Sequence, residues 1–376
     1  MSLQPKVFSF FDGAIQDHCF FGSNNQLLAI TQDKDIKIYD ASTQQLLQIL
    51  SGHEAPITAI DVSAEGLIVS CSQDRNAIVW KPYINQQTGV LDFKKDLVLL
   101  RINRAAICCR WSPNGKKFAV GSGSKVVAIC YYEEENDWWI SKHIKKFIKS
   151  SVLSIDWHPN NVLIACGTAN FHTYVFSTFI KSIDTRPSPS CWGVKLPFNT
   201  LCGDFVSSTG GWIHDVSFSP SGNVLGFVAH DSTITIVYPS EPNEPPISMV
   251  SVKTNYLPFK TIKFLSENEL IVAGHNCFPI LFTGNEENWS EQKSIDPAAK
   301  LNSKNQSGNK LLIGDEEETT TAINMFQQMD LRGKVVSKQS TKLSSTHQNT
   351  ITSLKFFSKH QISTSGNDGK VVIFNI

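Results

Sequence analysis

Two stretches of this 376-residue chain share one spacing, and that repeat limits what the chain can fold into more than any other feature. In GHEAPITAIDVSAEGLIVSCSQDRNAIVW, His53 precedes Asp74 by 21 residues, and Asp74 precedes Trp80 by 6. In STHQNTITSLKFFSKHQISTSGNDGKVVIF, His347, Asp368 and Phe374 keep both intervals. Five weaker copies place a small or polar turn residue six positions before an apolar or aromatic one: Asp33 and Tyr39, Ser124 and Cys130, Asn170 and Phe176, Asp231 and Val237, Asn276 and Phe282. An upstream mark supports the register. WSPNG at 111–115, WHPNN at 157–161, FSPSG at 218–222 and FLSEN at 264–268 each read as a strand end followed by a hairpin turn.

Between these marks lie short segments such as KFAVGS, VLIACGT, VLGFVAH and ELIVAGH, apolar and rich in β-formers. Seven units of roughly 45 residues, each with four short strands, describe an all-β, seven-bladed β-propeller of the WD-repeat kind, one domain over residues 1–376. In that signature His53, Ser70, Asp74 and Trp80 form a structural hydrogen-bond chain, and His347 and Asp368 its second copy. They are not a catalytic triad, because the constellation recurs around the ring. The last unit ends at Ile376, just after its third strand. KVFSF at 6–10 is therefore expected to supply the missing outer strand and to clasp the two ends together.

The steps between turn residues are 41, 50, 46, 61, 45 and 92. The last is a blade too long. Residues 296–346 are polar and linker-like, so they predict a protruding insertion before the last blade and not an eighth blade. Within it a short helix is expected over about 317–329, with acidic residues 315–318 at its start and Gly333 beyond its end. Ile323, Phe326 and Met329 fall three apart on one face. Such a helix is marginal alone, so it either binds a partner groove, folds back on its own ring, or stays disordered. The step of 61 marks a second excursion between the fourth and fifth units, IDTRPSPSCWGVKLPFNT, either a packed surface loop or a subunit contact through Trp192 and Phe198. A third feature is EEENDWWISKHIKKFIK. Its Lys142, Lys145, Lys146 and Lys149, with Arg101 and Arg104 nearby, either guard an edge strand or receive an acidic partner.

Composition bounds the function. Lys plus Arg equals Asp plus Glu at 34 each, so no global field draws in nucleic acid or a membrane surface. No apolar run is long enough to span a bilayer, and the N-terminus lacks a secretory h-region. The nine cysteines are scattered without a C-x-x-C pair, as buried thiols in a reducing, cytoplasmic setting would be. Phosphate-loop, zinc-protease and nucleophile-elbow motifs are missing, and GSGS at 121–124 sits at a hairpin. The expectation is a binding protein with no catalytic residues, no metal and no cofactor. An enzyme would need acidic or metal-binding residues converging on the central channel, and the sequence shows no such set.

INRAAICCRWSPNGKKFAVGSGSKVVAICYYEEENDWWISKHIKK resembles the WD-repeat subunit, subunit 1, of the actin-related protein 2/3 complex. SSVLSIDWHPNNVLIACG, RPSPSCWGVKLPF and AGHNCFPILF carry the same likeness, as does NMFQQMD in the insertion. The resemblance covers essentially the whole chain. It implies a non-catalytic scaffold of the cytoplasmic actin cytoskeleton, supporting nucleation of branched filaments. Its implied partners are the two actin-related subunits and the other subunits, the mother actin filament, and the acidic tails of nucleation-promoting factors. Ile323, Phe326 and Met329 become the actin-facing candidates, and the four lysines the candidate patch for an acidic tail. A WD-repeat adaptor in another assembly is the alternative.

Overall fold

The computed structural model describes residues 4–9, 11, 13–87, 89–242, 244–299 and 343–376. Among these, seven antiparallel four-stranded sheets follow one another around a ring. Blade 1 comprises His18–Phe21, Leu27–Gln32, Asp35–Asp40 and Leu46–Ser51; blade 2, Ile57–Val62, Ile68–Ser72, Ala77–Ile84 and Leu91–Val98. Blade 3 runs from Ala106–Trp111 through Lys117–Ser122 and Val126–Glu133 to Trp138–Ile144. Blade 4 holds Val152–Trp157, Leu163–Thr168, His172–Ser177 and Leu201–Val206; blade 5, Ile213–Phe218, Leu225–Ala229, Thr233–Tyr238 and Ser248–Lys253. Blade 6 holds Phe259–Ser266, Glu269–Gly274, Ile280–Gly284 and Trp289–Ser294, and blade 7 Ile351–Ser358, Gln361–Gly366 and Val371–Asn375.

The fourth strand of blade 7 is Lys6–Phe8, antiparallel to Val371–Ile373. Phe8 is 0% exposed and packs with Phe11, Ile15, Leu28 and Ile30, so the N-terminal strand joins the cores of blades 7 and 1. The second strands are buried almost end to end, as in Lys117–Ser122 and Leu163–Thr168. The continuous apolar runs in the sequence follow from this, since each such strand lies between two neighbouring blades. Outer strands alternate instead, as Ser248–Lys253 does.

The hairpin between second and third strands explains the turn residue of each repeat. The residue after Asp74, Ser124, Asn170, Asp231, Asn276 and Asp368 has a positive φ, from 61° at Lys125 to 74° at Phe171. Only Gly369 adopts it without a Cβ penalty, so a short polar side chain in the turn has to compensate. Blade 1 is offset by one: there Asp33 itself takes φ 53°.

Strand directions alternate, so the connections entering each blade share one face of the ring with these hairpins. We call it the entry face. The remaining turns share the opposite face. The Pro-rich excursion leaves from that opposite face inside blade 4, between His172–Ser177 and Leu201–Val206, and not between the fourth and fifth units as the step of 61 suggested. The residues flanking 300–342 lie between blades 6 and 7, on the entry face.

Deleting residues 1–11 removes the Phe8 side chain and leaves Val371–Asn375 as a bare edge. Burial of one such side chain contributes about 2–3 kcal/mol, and an open apolar edge invites aggregation. Thermal unfolding should drop as one transition for the whole ring; an unchanged midpoint would show the clasp to be dispensable.

Candidate functional site

The network around His53 runs from the loop entering blade 2 to its third strand. Trp80 Nε1 donates to Ser70 Oγ at 2.9 Å. Ser70 Oγ lies 2.8 Å from His53 Nε2, and His53 Nδ1 lies 2.7 Å from Asp74 Oδ2. A carboxylate only accepts, so Nδ1 carries the proton and Nε2 accepts from the serine. Burial lowers the His53 pKa against the pull of Asp74, which keeps the ring neutral. Asp74 also accepts from Glu54 N at 3.0 Å and Asn76 N at 2.9 Å, tying loop and turn together. Blade 7 repeats the arrangement with Thr364 for the serine: His347 Nδ1 is 3.0 Å from Asp368 Oδ1, and Nε2 is 2.8 Å from Thr364 Oγ1. Phe374 replaces the tryptophan and keeps only the ring contact. Blades 3 and 4 make the same tether with other residues: Ser124 Oγ donates to Asn103 Oδ1 at 2.8 Å, and Asn170 N to Ser150 Oγ at 2.9 Å.

The channel holds what sequence reading missed. Every inner strand or its leading residue brings a charge to the axis: Asp17, Asp61, Arg110, Asp156, Asp215, Lys263 and Lys355. The expectation of no converging acidic set is therefore corrected. Each carboxylate, however, is engaged. Asp17 Oδ2 accepts from Ile60 N at 3.0 Å, Asp61 Oδ2 from Trp111 N at 2.8 Å, Asp156 Oδ2 from Phe218 N at 2.9 Å, and Asp215 Oδ2 from Ile262 N at 3.0 Å. In all four the carboxylate belongs to one blade and the N–H to the inner edge of the next. Lys355 lies 3.1 Å from Asp17 and Lys263 3.1 Å from Asp156. Burial alone would raise the Asp17 pKa; Lys355 and Arg110 outweigh it and hold the carboxyl below its usual range. Among the described residues no group of three or more His, Cys, Asp or Glu side chains could hold a metal. A signal was present: Asp61, Arg110, Asp156, Lys263 and Lys355 each directly precede a bulky apolar residue near the end of an inner strand.

The lysine candidates divide by position. Lys142 is on the outer strand of blade 3, its Nζ 5.4 Å from the Tyr131 ring centre and 5.9 Å from that of Phe198. Lys145, Lys146 and Lys149 are exposed on the connection to blade 4, on the entry face. Arg101 and Arg104 are exposed on the preceding connection, which His143 Nε2 holds through Leu100 O at 2.8 Å. None of these six has a carboxylate ion-pair partner among the described residues. The acidic run 133–135 sits at the other end of the Trp138–Ile144 strand. Trp192 is not a contact residue: it is 2% exposed, and its Nε1 donates to Gly222 O at 2.8 Å. The buried Lys117–Asp184 pair, 2.7 Å apart, anchors the same loop. Ile323, Phe326 and Met329, with the expected helix, lie outside the described residues.

The family model for "WD domain, G-beta repeat" matches residues 44–81, which span the outer strand of blade 1 and the first three strands of blade 2. Over 372 residues, covering 96% of both chains, the protein is 41% identical to "Actin-related protein 2/3 complex subunit 1" of Schizosaccharomyces pombe. The chain belongs to that subunit 1 family. It is also 41% identical to subunit 1A-B of Xenopus laevis over 95% of this chain and 93% of the relative, and 39% identical to subunit 1 of Saccharomyces cerevisiae over 98% and 97%.

Asp74→Asn takes the charge from a tether that serves three donors. It should cost about 1–3 kcal/mol, read as a lower denaturation midpoint. An unchanged midpoint would remove the network from the account of stability.

Proposed function

We propose that the protein is the non-catalytic scaffold subunit of an actin-related protein 2/3 complex and supports nucleation of branched actin filaments in the cytoplasm. The observation that carries this reading is the identity of about 40% along nearly the full length of relatives bearing that subunit's name. Two features of the chain support a binding role. The titratable groups of the blade networks are engaged in internal hydrogen bonds, and six basic residues without an ion-pair partner among the described residues, Lys142, Lys145, Lys146, Lys149, Arg101 and Arg104, lie together on the outer strand of blade 3 and the entry face of blades 3 and 4.

The partners are the actin-related subunits and their companions. Ile323, Phe326 and Met329 face the mother filament from the insertion before the last blade. Lys142, Lys145, Lys146 and Lys149 receive the acidic tail of a nucleation-promoting factor. That electrostatic contact is exposed, so it weakens as salt rises.

Three measurements test the assembly and the two contacts. The tagged chain should co-purify with two actin-like proteins. Phe326→Ala should lower branch density while leaving assembly intact. Lys145→Glu with Lys146→Glu should weaken binding of an acidic activator peptide by about tenfold at low salt. Normal branching by the first variant would sink the filament-facing reading, and unchanged peptide affinity in the second would return the lysines to guarding an edge.

A further inference from the structure

Four basic groups of blades 5 and 6 gather on the entry face, and among the described residues none has a carboxylate within 4.0 Å. His214 stands on the inner strand Ile213–Phe218 and His230 just after Leu225–Ala229. Lys260 lies on the inner strand Phe259–Ser266 and His275 just after Glu269–Gly274. His214 Nε2 and His230 Nδ1 are 2.9 Å apart. The His230 ring stacks on exposed Trp212, with 5.3 Å between ring centres, and His275 Nδ1 lies 2.9 Å from Thr350 Oγ1.

Three of the other seven histidines are paired with an acid; among the described residues His18, His143, His158 and His360 are not. His53, His172 and His347 each have a carboxylate within 3.0 Å. Among the described residues, no carboxylate comes within 4.0 Å of His214, His230, His275 or Lys260. The nearby acids are partly committed elsewhere, although Asp231 Oδ2 is buried with no hydrogen-bond partner among the described residues. Asp215 accepts from Val216 N, Thr261 Oγ1 and Ile262 N, and Asp231 Oδ1 accepts from the N–H of Thr233 at 3.1 Å and from its hydroxyl. Deeper in the channel, Arg110 and Lys355 face Asp17.

The four groups oppose one another. Burial, then Lys260, His230 and His275, lower the His214 pKa to about 3. Burial, then Lys260 and His230, lower that of His275, and burial lowers that of Lys260 against the pull of Asp215. His214 and Lys260, but not His230 or His275, line a hollow of about 420 Å³ at the channel mouth, together with Asp17, Arg110 and Asp215. Ser154 lines it too, and its buried Oγ has no hydrogen-bond partner among the described residues.

We propose that this mouth is a binding site for a phosphate-type dianion, filled more tightly as its imidazoles take up protons. A tetrahedral oxyanion offers acceptors in several directions, matching donors that arrive from separate strands. Its two charges answer the Lys260 ammonium and one imidazolium. The recess suits a phosphate ester, whether free or carried on a partner's side chain. The sign follows from linkage. The empty site holds the His214 and His275 imidazoles neutral, the anion favours their charged form, and binding therefore takes up a proton and strengthens as pH falls.

Sulfate is the first probe, because its charge is constant where a phosphate ester titrates, near pH 6. Imidazole nitrogens of the full-length chain are followed by NMR at pH 7 and pH 6. The His214, His230 and His275 signals should shift saturably, with affinity about tenfold higher at pH 6 for one proton taken up, while those of His53 and His347 stay still. Lys260→Gln should weaken binding at least tenfold without moving the unfolding midpoint. Glycerol phosphate and a phosphoserine tetrapeptide should each displace sulfate, and the tighter of the two identifies the source. Shifts that do not saturate, that spread over every histidine, or that give one affinity at both pH values would overturn the proposal in the unaltered chain, whatever the variant does.

Discussion

The last blade of this ring takes three strands from one end of the chain and its fourth from the other. Here Lys6–Phe8 completes it, and Phe8 is shared between the cores of blades 7 and 1. Closure also brings seven inner strands edge to edge around a channel, where their backbone groups lack the sheet partners that the other strands have. Four of the seven junctions meet that need with a carboxylate reaching the next blade's N–H, and Arg110, Lys263 and Lys355 pair with three of those four carboxylates. An unpaired charge in such a site costs about 3–5 kcal/mol when its partner is removed. The charges therefore act as joints of the ring.

The fold was legible because its constraint is local and periodic. A tether between an entering loop and a hairpin needs a fixed interval, so His53 to Asp74 and His347 to Asp368 stand 21 apart. The weaker turn residues could be placed because the next residue adopts positive φ in six of the seven hairpins. What was not legible depends on closure. Asp61 or Lys263 within a strand reads as an ordinary polar alternation until the strands converge on an axis. Trp192 reads as a contact on an excursion until the loop folds back and Gly222 O takes its N–H. The cluster of His214, His230, Lys260 and His275 joins residues up to 61 positions apart, and no single motif spans them.

The two kinds of polar residue separate cleanly in space. The charged groups of the blade networks and the channel joints are buried or half-buried and held by hydrogen bonds or ion pairs. Lys145, Lys146, Lys149, Arg101 and Arg104 are exposed on the entry face, the face from which residues 295–299 and 343–350 frame the insertion. A subunit built to hold partners needs this division, since a rigid ring can present loops without being reshaped by what they bind. Membership of the subunit 1 family and the division of polar groups point the same way, although they are independent observations.

The central claim is that closure and the carboxylate joints make seven blades one cooperative unit. Native-state hydrogen exchange tests it most directly at the amides of Ile60, Trp111, Phe218 and Ile262, each of which donates to a carboxylate of the preceding blade. The account predicts that all four exchange only through global unfolding, with one common free energy and one common denaturant dependence. Distinct opening free energies for the separate blades, well below the global value, would contradict it.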